Sequence, residues 1–150
     1  MPIRKFRNLV CALIVIASLG GGGAYIAKAG NTYLNVTVSN ITGVSSPDPY
    51  SLVEPKDDDD PLFHITLYTL TNSSEIYFTA YRTPLGSTTH NLSSDTQVSV
   101  KKTIKTTDLG ETKHKAYYSQ AYAIPGRYYY VFTTSPLYTC NVNAVGHYCP

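Results

Sequence analysis

The residues able to do chemistry are four histidines (His64, His90, His114 and His147), two cysteines near the end of the chain (Cys140 and Cys149) and the run Asp57-Asp58-Asp59-Asp60. None of the histidines sits in a nucleophile, zinc or phosphate motif: there is no G-x-S-x-G, no H-E-x-x-H and no P-loop. The sequence therefore assigns no catalytic residue and no cofactor, and the expected protein is not an enzyme. The aspartates, with Asp48 and Glu54 nearby, supply the hard oxygen ligands that calcium takes. Adjacent carboxylates repel and lack the alternating spacing of a dedicated loop, so Asp57, Asp58, Asp59 and Asp60 read as a solvated acidic loop and a weak calcium candidate.

Cys140 and Cys149 form an even pair once Cys11 is set aside with a leader segment, and the expectation is a disulfide that pins the end of the chain. A loop that short would contribute about 2–3 kcal/mol. A metal site from Cys140, His147 and Cys149 is the rival reading and lacks a fourth ligand nearby.

Two clusters suggest a surface. Lys101, Lys102, Lys105, Lys113 and Lys115 flank the turn Asp108-Leu109-Gly110, and if the flanking segments pair, Lys101, Lys105, Lys113 and Lys115 point to one side. That patch suits an anionic polymer or an acidic surface, or it protects an edge hairpin from unwanted pairing. Tyr117, Tyr118, Tyr122, Tyr128, Tyr129 and Tyr130 crowd the stretch YYSQAYAIPGRYYYVFTT, where Pro125-Gly126 has type II turn chemistry. Tyr117, Tyr118, Tyr128, Tyr129 and Tyr130 cannot all lie on one sheet face, so some are expected to offer contact area to a glycan or a protein. Sequons stand at Asn35, Asn40, Asn72 and Asn91.

The elements that must position these residues are strands. Thr32–Val38 alternates Leu34, Val36 and Val38 against polar neighbours, and Ser39–Pro61 reads as a long loop whose length suggests a sheet-to-sheet crossing or a functional loop. Leu62–Leu70 and Glu75–Arg82, joined by Thr71-Asn72-Ser73-Ser74, predict a hairpin. Thr96–Thr106 predicts a strand with Val98, Val100 and Ile104 on one face, and the second half of Thr112–Ile124 and the stretch Arg127–Thr134 predict the arms of the tyrosine hairpin. Six or seven such strands with no helical period predict an all-β domain: a single antiparallel β-sandwich, Ig-like or jelly-roll-like.

Ahead of that domain, Arg4, Lys5 and Arg7, the apolar run Leu9–Leu19 and Ala27-Lys28-Ala29 have the three-part pattern of a secretory signal, so residues 1–29 are expected to be removed and 30–150 to fold. Four of the twelve basic residues leave with it and all ten acidic ones stay, giving a net charge of −2. That balance argues against nucleic acid as a partner. The expected protein is secreted or held at the cell surface, and binds a glycan, an anionic wall polymer or a protein. A filament subunit assembled by addition of strand Thr32–Val38, and an antimicrobial or toxin-like domain, are the alternatives.

Overall fold

The computed structural model describes residues 32–39, 48–137 and 140–150; the signal-like segment, the Asn40 sequon and part of the Ser39–Pro61 stretch lie outside them. Among the described residues the chain forms nine strands and two short 3-10 turns, Thr106–Asp108 and Gln120–Tyr122. The strands are β1 (Thr32–Val38), β2 (Glu54–Pro55), β3 (Leu62–Thr71), β4 (Glu75–Arg82), β5 (Thr96–Gln97), β6 (Lys102–Lys105), β7 (Thr112–Ala116), β8 (Tyr128–Thr134) and β9 (Val142–Cys149). They make two antiparallel sheets. One has the order β1-β9-β3-β7, and the other β2-β8-β4-β5 with β6 also paired to β4. The all-β expectation holds.

The sequence patterns that set the strands also set the core. Period-two alternation places Leu34, Val36 and Val38 of β1, Phe63, Ile65 and Leu67 of β3, Ile76, Phe78 and Ala80 of β4, and Val142, Ala144 and Tyr148 of β9 in one buried cluster contributed by both sheets. Fully burying an aliphatic or phenyl side chain stabilises by about 1.5–3 kcal/mol, and this cluster is the main source of cohesion.

The pairing of these strands differs from the local expectation. Each predicted hairpin is instead a crossing between sheets. β3 pairs with β7 and β9, whereas β4 pairs with β8, β5 and β6, so Thr71–Ser74 turns a corner; Asn72 there has φ 64°. β6 and β7 likewise part company on either side of the lysine-flanked turn. The Pro125-Gly126 turn is present, with Gly126 at φ 76° and the Arg127 N–H donating to Ile124 O at 3.2 Å, but β7 and β8 lie in opposite sheets. A turn signal specifies a reversal of the chain and not the strand it meets next.

Two predicted strands are broken. Residues 117–124, expected as an arm, hold the turn Gln120–Tyr122. Thr96–Thr106 splits into β5 and β6, because Ser99 leaves the ladder to bridge Tyr117 while its hydroxyl accepts the Ala80 N–H at 2.9 Å; Val100 is thereby turned outward. On the opposite side, Asp48 bridges Thr37 of β1, Tyr50 bridges Phe132 of β8 and β2 continues along β8, so part of the expected loop stitches one sheet to the other.

Candidate functional site

The segment Asp48–Val53 that joins the sheets forms the wall shared by two adjoining shallow hollows, of about 230 and 290 Å³. The first is completed by Tyr33 and Asn35 from β1, the second by Thr88, Thr89 and His90 from the connection after β4. Tyr50 lies between them. Its ring stacks on His90 at 4.0 Å between centroids and leans on Tyr130 at 5.9 Å and Phe132 at 5.3 Å. Backbone bonds from Asp48 to Thr37, at 2.8 and 3.2 Å, and from the Ser51 N–H to Val131 O, at 3.0 Å, fix the segment on both sides. Tyr33 and Leu52 are more than half exposed, with relative accessibilities of 56% and 63%. The lining thus combines exposed apolar and aromatic surface with the carboxylate, amide and hydroxyl groups of Asp48, Asn35, Ser51, Thr88 and Thr89, and contains no lysine or arginine. The length of the Ser39–Pro61 stretch points to a crossing between sheets or a functional loop, but no residue in it carries a motif that marks a site.

The tyrosines expected as a contact face are largely core. Tyr117 packs against Phe63 and Tyr129, and Tyr129 and Tyr130 are fully buried. The Tyr129 hydroxyl donates to Tyr122 O and accepts the Ile124 N–H at 3.1 Å, holding the Pro125-Gly126 loop on the sheet. The Tyr130 hydroxyl donates to Asp95 Oδ2 at 2.8 Å. Burial pushes both Tyr117 and Tyr130 well above the ordinary phenol value, with the Asp95 hydrogen bond the next cause at Tyr130. Tyr128 is half-buried, and Tyr118 is exposed with its hydroxyl accepting from Gln97 Nε2 at 2.9 Å. Contact area from Tyr117, Tyr129 and Tyr130 is therefore withdrawn.

The lysines do not share a side either. Lys113 and Lys115 stand opposite the buried Ile65 and Phe63, so they lie on the inward face of the edge strand β7, while Lys105 belongs to β6 of the other sheet and Lys101 just precedes that strand. Lys113 is held by Asp108 at 3.1 Å and Glu111 at 2.6 Å, and Lys101 lies 4.0 Å over the Tyr77 ring. The Lys105 backbone N–H and then the Lys113 ammonium draw the Asp108 carboxyl below its ordinary value. Inward lysines on an edge strand deter pairing with another chain, and the edge-protection reading fits this placement.

Cys140 and Cys149 are free thiols, which overturns the expected disulfide. The residues between them are not a loop but β9, whose extended rise of about 3.3 Å per residue sets the two ends more than about 20 Å apart, far beyond disulfide reach. The same extension removes Cys140 from any shared site with His147 and Cys149. Burial first, and then the charge of Asp58, raises the Cys149 thiol above its ordinary value.

In the acidic run, Asp58 Oδ1 accepts from Lys56 Nζ at 2.8 Å and from the Asp60 N–H at 3.1 Å, while Asp60 Oδ1 accepts the Leu62 N–H at 3.0 Å. These carboxylates are spent on local structure. Among the described residues no three His, Cys, Asp or Glu side chains converge as a metal cage. The sequons at Asn35, Asn72 and Asn91 are exposed. One constellation went unread in the sequence: His64 and His114, fifty residues apart, stand side by side across β3 and β7.

No protein-family model, curated protein or solved structure matches this chain.

Proposed function

We propose that the chain is the folded domain of an exported, non-catalytic protein, a β-sandwich of Ig-like or jelly-roll-like kind, that binds a neutral glycan along the Asp48–Val53 segment. The export half of this reading rests on the signal-like sequence of residues 1–29. The observation that carries the binding half is the pair of adjoining hollows with Tyr33, Tyr50 and Leu52 as apolar surface and Asp48, Asn35 and Ser51 as polar partners. A sugar ring presents apolar faces and hydroxyl edges, and such a lining matches both. The absence of Lys and Arg from the lining favours an uncharged chain over an anionic polymer.

Retention on a panel of immobilised neutral polysaccharides tests the reading. Tyr33→Ala and Leu52→Ala, both at exposed positions, are expected to weaken retention about tenfold each, the loss of roughly 1–1.5 kcal/mol of contact. Tyr118→Ala, on a different surface, is expected to leave it unchanged. A wild-type protein that passes through every neutral matrix unretained sinks the proposal.

A second reading, association of copies through β1, draws on one observation. β1 is an edge strand whose outward backbone is bridged, among the described residues, at Thr37 by Asp48. Electron microscopy showing monodisperse monomers removes it.

A further inference from the structure

On the outer face of the sheet β1-β9-β3-β7, register places Cys149, His64 and His114 side by side. The imidazoles of His64 and His114 meet edge to face, with centroids 4.6 Å apart and planes at 89°. Their Nδ1 atoms approach to 2.5 Å. A gap of that size between two ring nitrogens holds one hydrogen and not two, so at least one Nδ1 presents a lone pair toward the other. The remaining nitrogen of His64, Nε2, lies 3.5 Å from Asp60 Oδ2, and Asp60 is itself held by the Leu62 N–H at 3.0 Å on its other oxygen. A carboxylate beside the far nitrogen favours the proton on that side and a lone pair on Nδ1, in the position where metal-binding histidines have their outer carboxylate support.

The geometry points to a divalent transition-metal site in which His64 Nδ1 and His114 Nδ1 are the protein ligands, Asp60 orients His64, and water completes the coordination. Two imidazoles select copper, nickel and zinc over calcium and magnesium, and copper(II) binds most tightly of these. Metal–nitrogen bonds of about 2.0–2.1 Å at a cis angle need the two nitrogens about 3 Å apart. Small side-chain rotations supply the remaining opening, since His114 is exposed and His64 half-buried. Cys149 flanks His64 on the side away from His114, so it does not join the pair, in keeping with the lack of any three converging ligands among the described residues. Because, among the described residues, β7 is an edge strand paired in its sheet to β3 alone, a bound ion would clamp it there.

The test is titration of untagged protein with copper(II), followed by calorimetry and electron paramagnetic resonance, and repeated with zinc(II). One ion per chain is expected, with nitrogen hyperfine structure from two imidazoles. His64→Ala and His114→Ala are each expected to weaken binding about 100-fold, and Asp60→Asn about tenfold. His147→Ala, on the same face but bonded to Tyr68 at 3.1 Å, should not change it. A Cys140→Ser/Cys149→Ser background removes thiol reaction with copper from the readout. Unchanged affinity in a folded His64→Ala/His114→Ala variant, or no binding of either metal by the wild type, overturns the proposal.

Discussion

Lys56 is wholly buried, with its ammonium donating to Asp58 Oδ1 at 2.8 Å and to Pro150 O at 3.0 Å, and lying 5.5 Å from the centre of the Tyr117 ring. It ties the acidic segment to the end of β9. Lys56→Met keeps most of the buried stem but strands the Pro150 carbonyl, while Asp58, about half exposed at 49%, can rehydrate. The expected loss is therefore that of one buried acceptor, about 1–3 kcal/mol, seen as a lower midpoint in urea with an unchanged slope. A change below a few tenths of a kcal/mol would contradict this account. Nothing local marks Lys56 as buried: beside four aspartates it reads as a surface charge, and its second partner, Pro150 O, lies 94 residues away. The His64–His114 pair was hidden for the same reason, since each histidine is unremarkable until β3 and β7 are in register.

At the scale of single elements, much was legible. β1 and β4 have the limits that alternation predicted, and β3 runs one residue beyond them. β9 was not seen, although Val142, Ala144, Gly146 and Tyr148 alternate, because two small residues dilute the apolar signal and the flanking cysteines suggested a loop. One of those small residues is required. A Cβ on Gly146 would lie 2.0 Å from Thr66 O and 2.9 Å from Leu67 Cα, and the β3 register shifts between Leu67 and Thr69, just past its pairing with Gly146. Gly146→Ala must therefore push β3 and β9 apart where they share the centre of the sheet. A loss of about 3 kcal/mol or more is expected in chemical denaturation. A neutral effect would mean that the strands separate freely there.

For the molecule as a whole, the tyrosines give a pH limit. Burial raises the phenols of Tyr117, Tyr130 and Tyr148, with Tyr129 the next influence on Tyr117, Asp95 on Tyr130 and Tyr117 on Tyr148. A raised native value means that the folded state holds the proton more tightly than the unfolded state does. Stability from these groups is intact below the unfolded value of about 10 and falls as pH rises above it. Tyrosinate absorbance should consequently appear in two stages: exposed phenols first, then a cooperative step coincident with loss of circular dichroism. A single smooth titration with the fold intact would refute the burial of these three hydroxyls. Composition and period made the all-β class readable, and the two-sheet connectivity was not, because it is set by which inner faces fit together and not by the turns between them.

The connectivity also orders events during synthesis. Among the described residues β1 and β3 meet only through β9, the last of their nine strands in chain order, and Thr32 must wait for Tyr148 before its ladder can close. Before β9 is made, β1 lacks its ladder partner and β3 has an open edge on that side, so the sheet closes late and by contacts of long sequence separation, a slow route. Until then those strand edges are open to pairing with other chains.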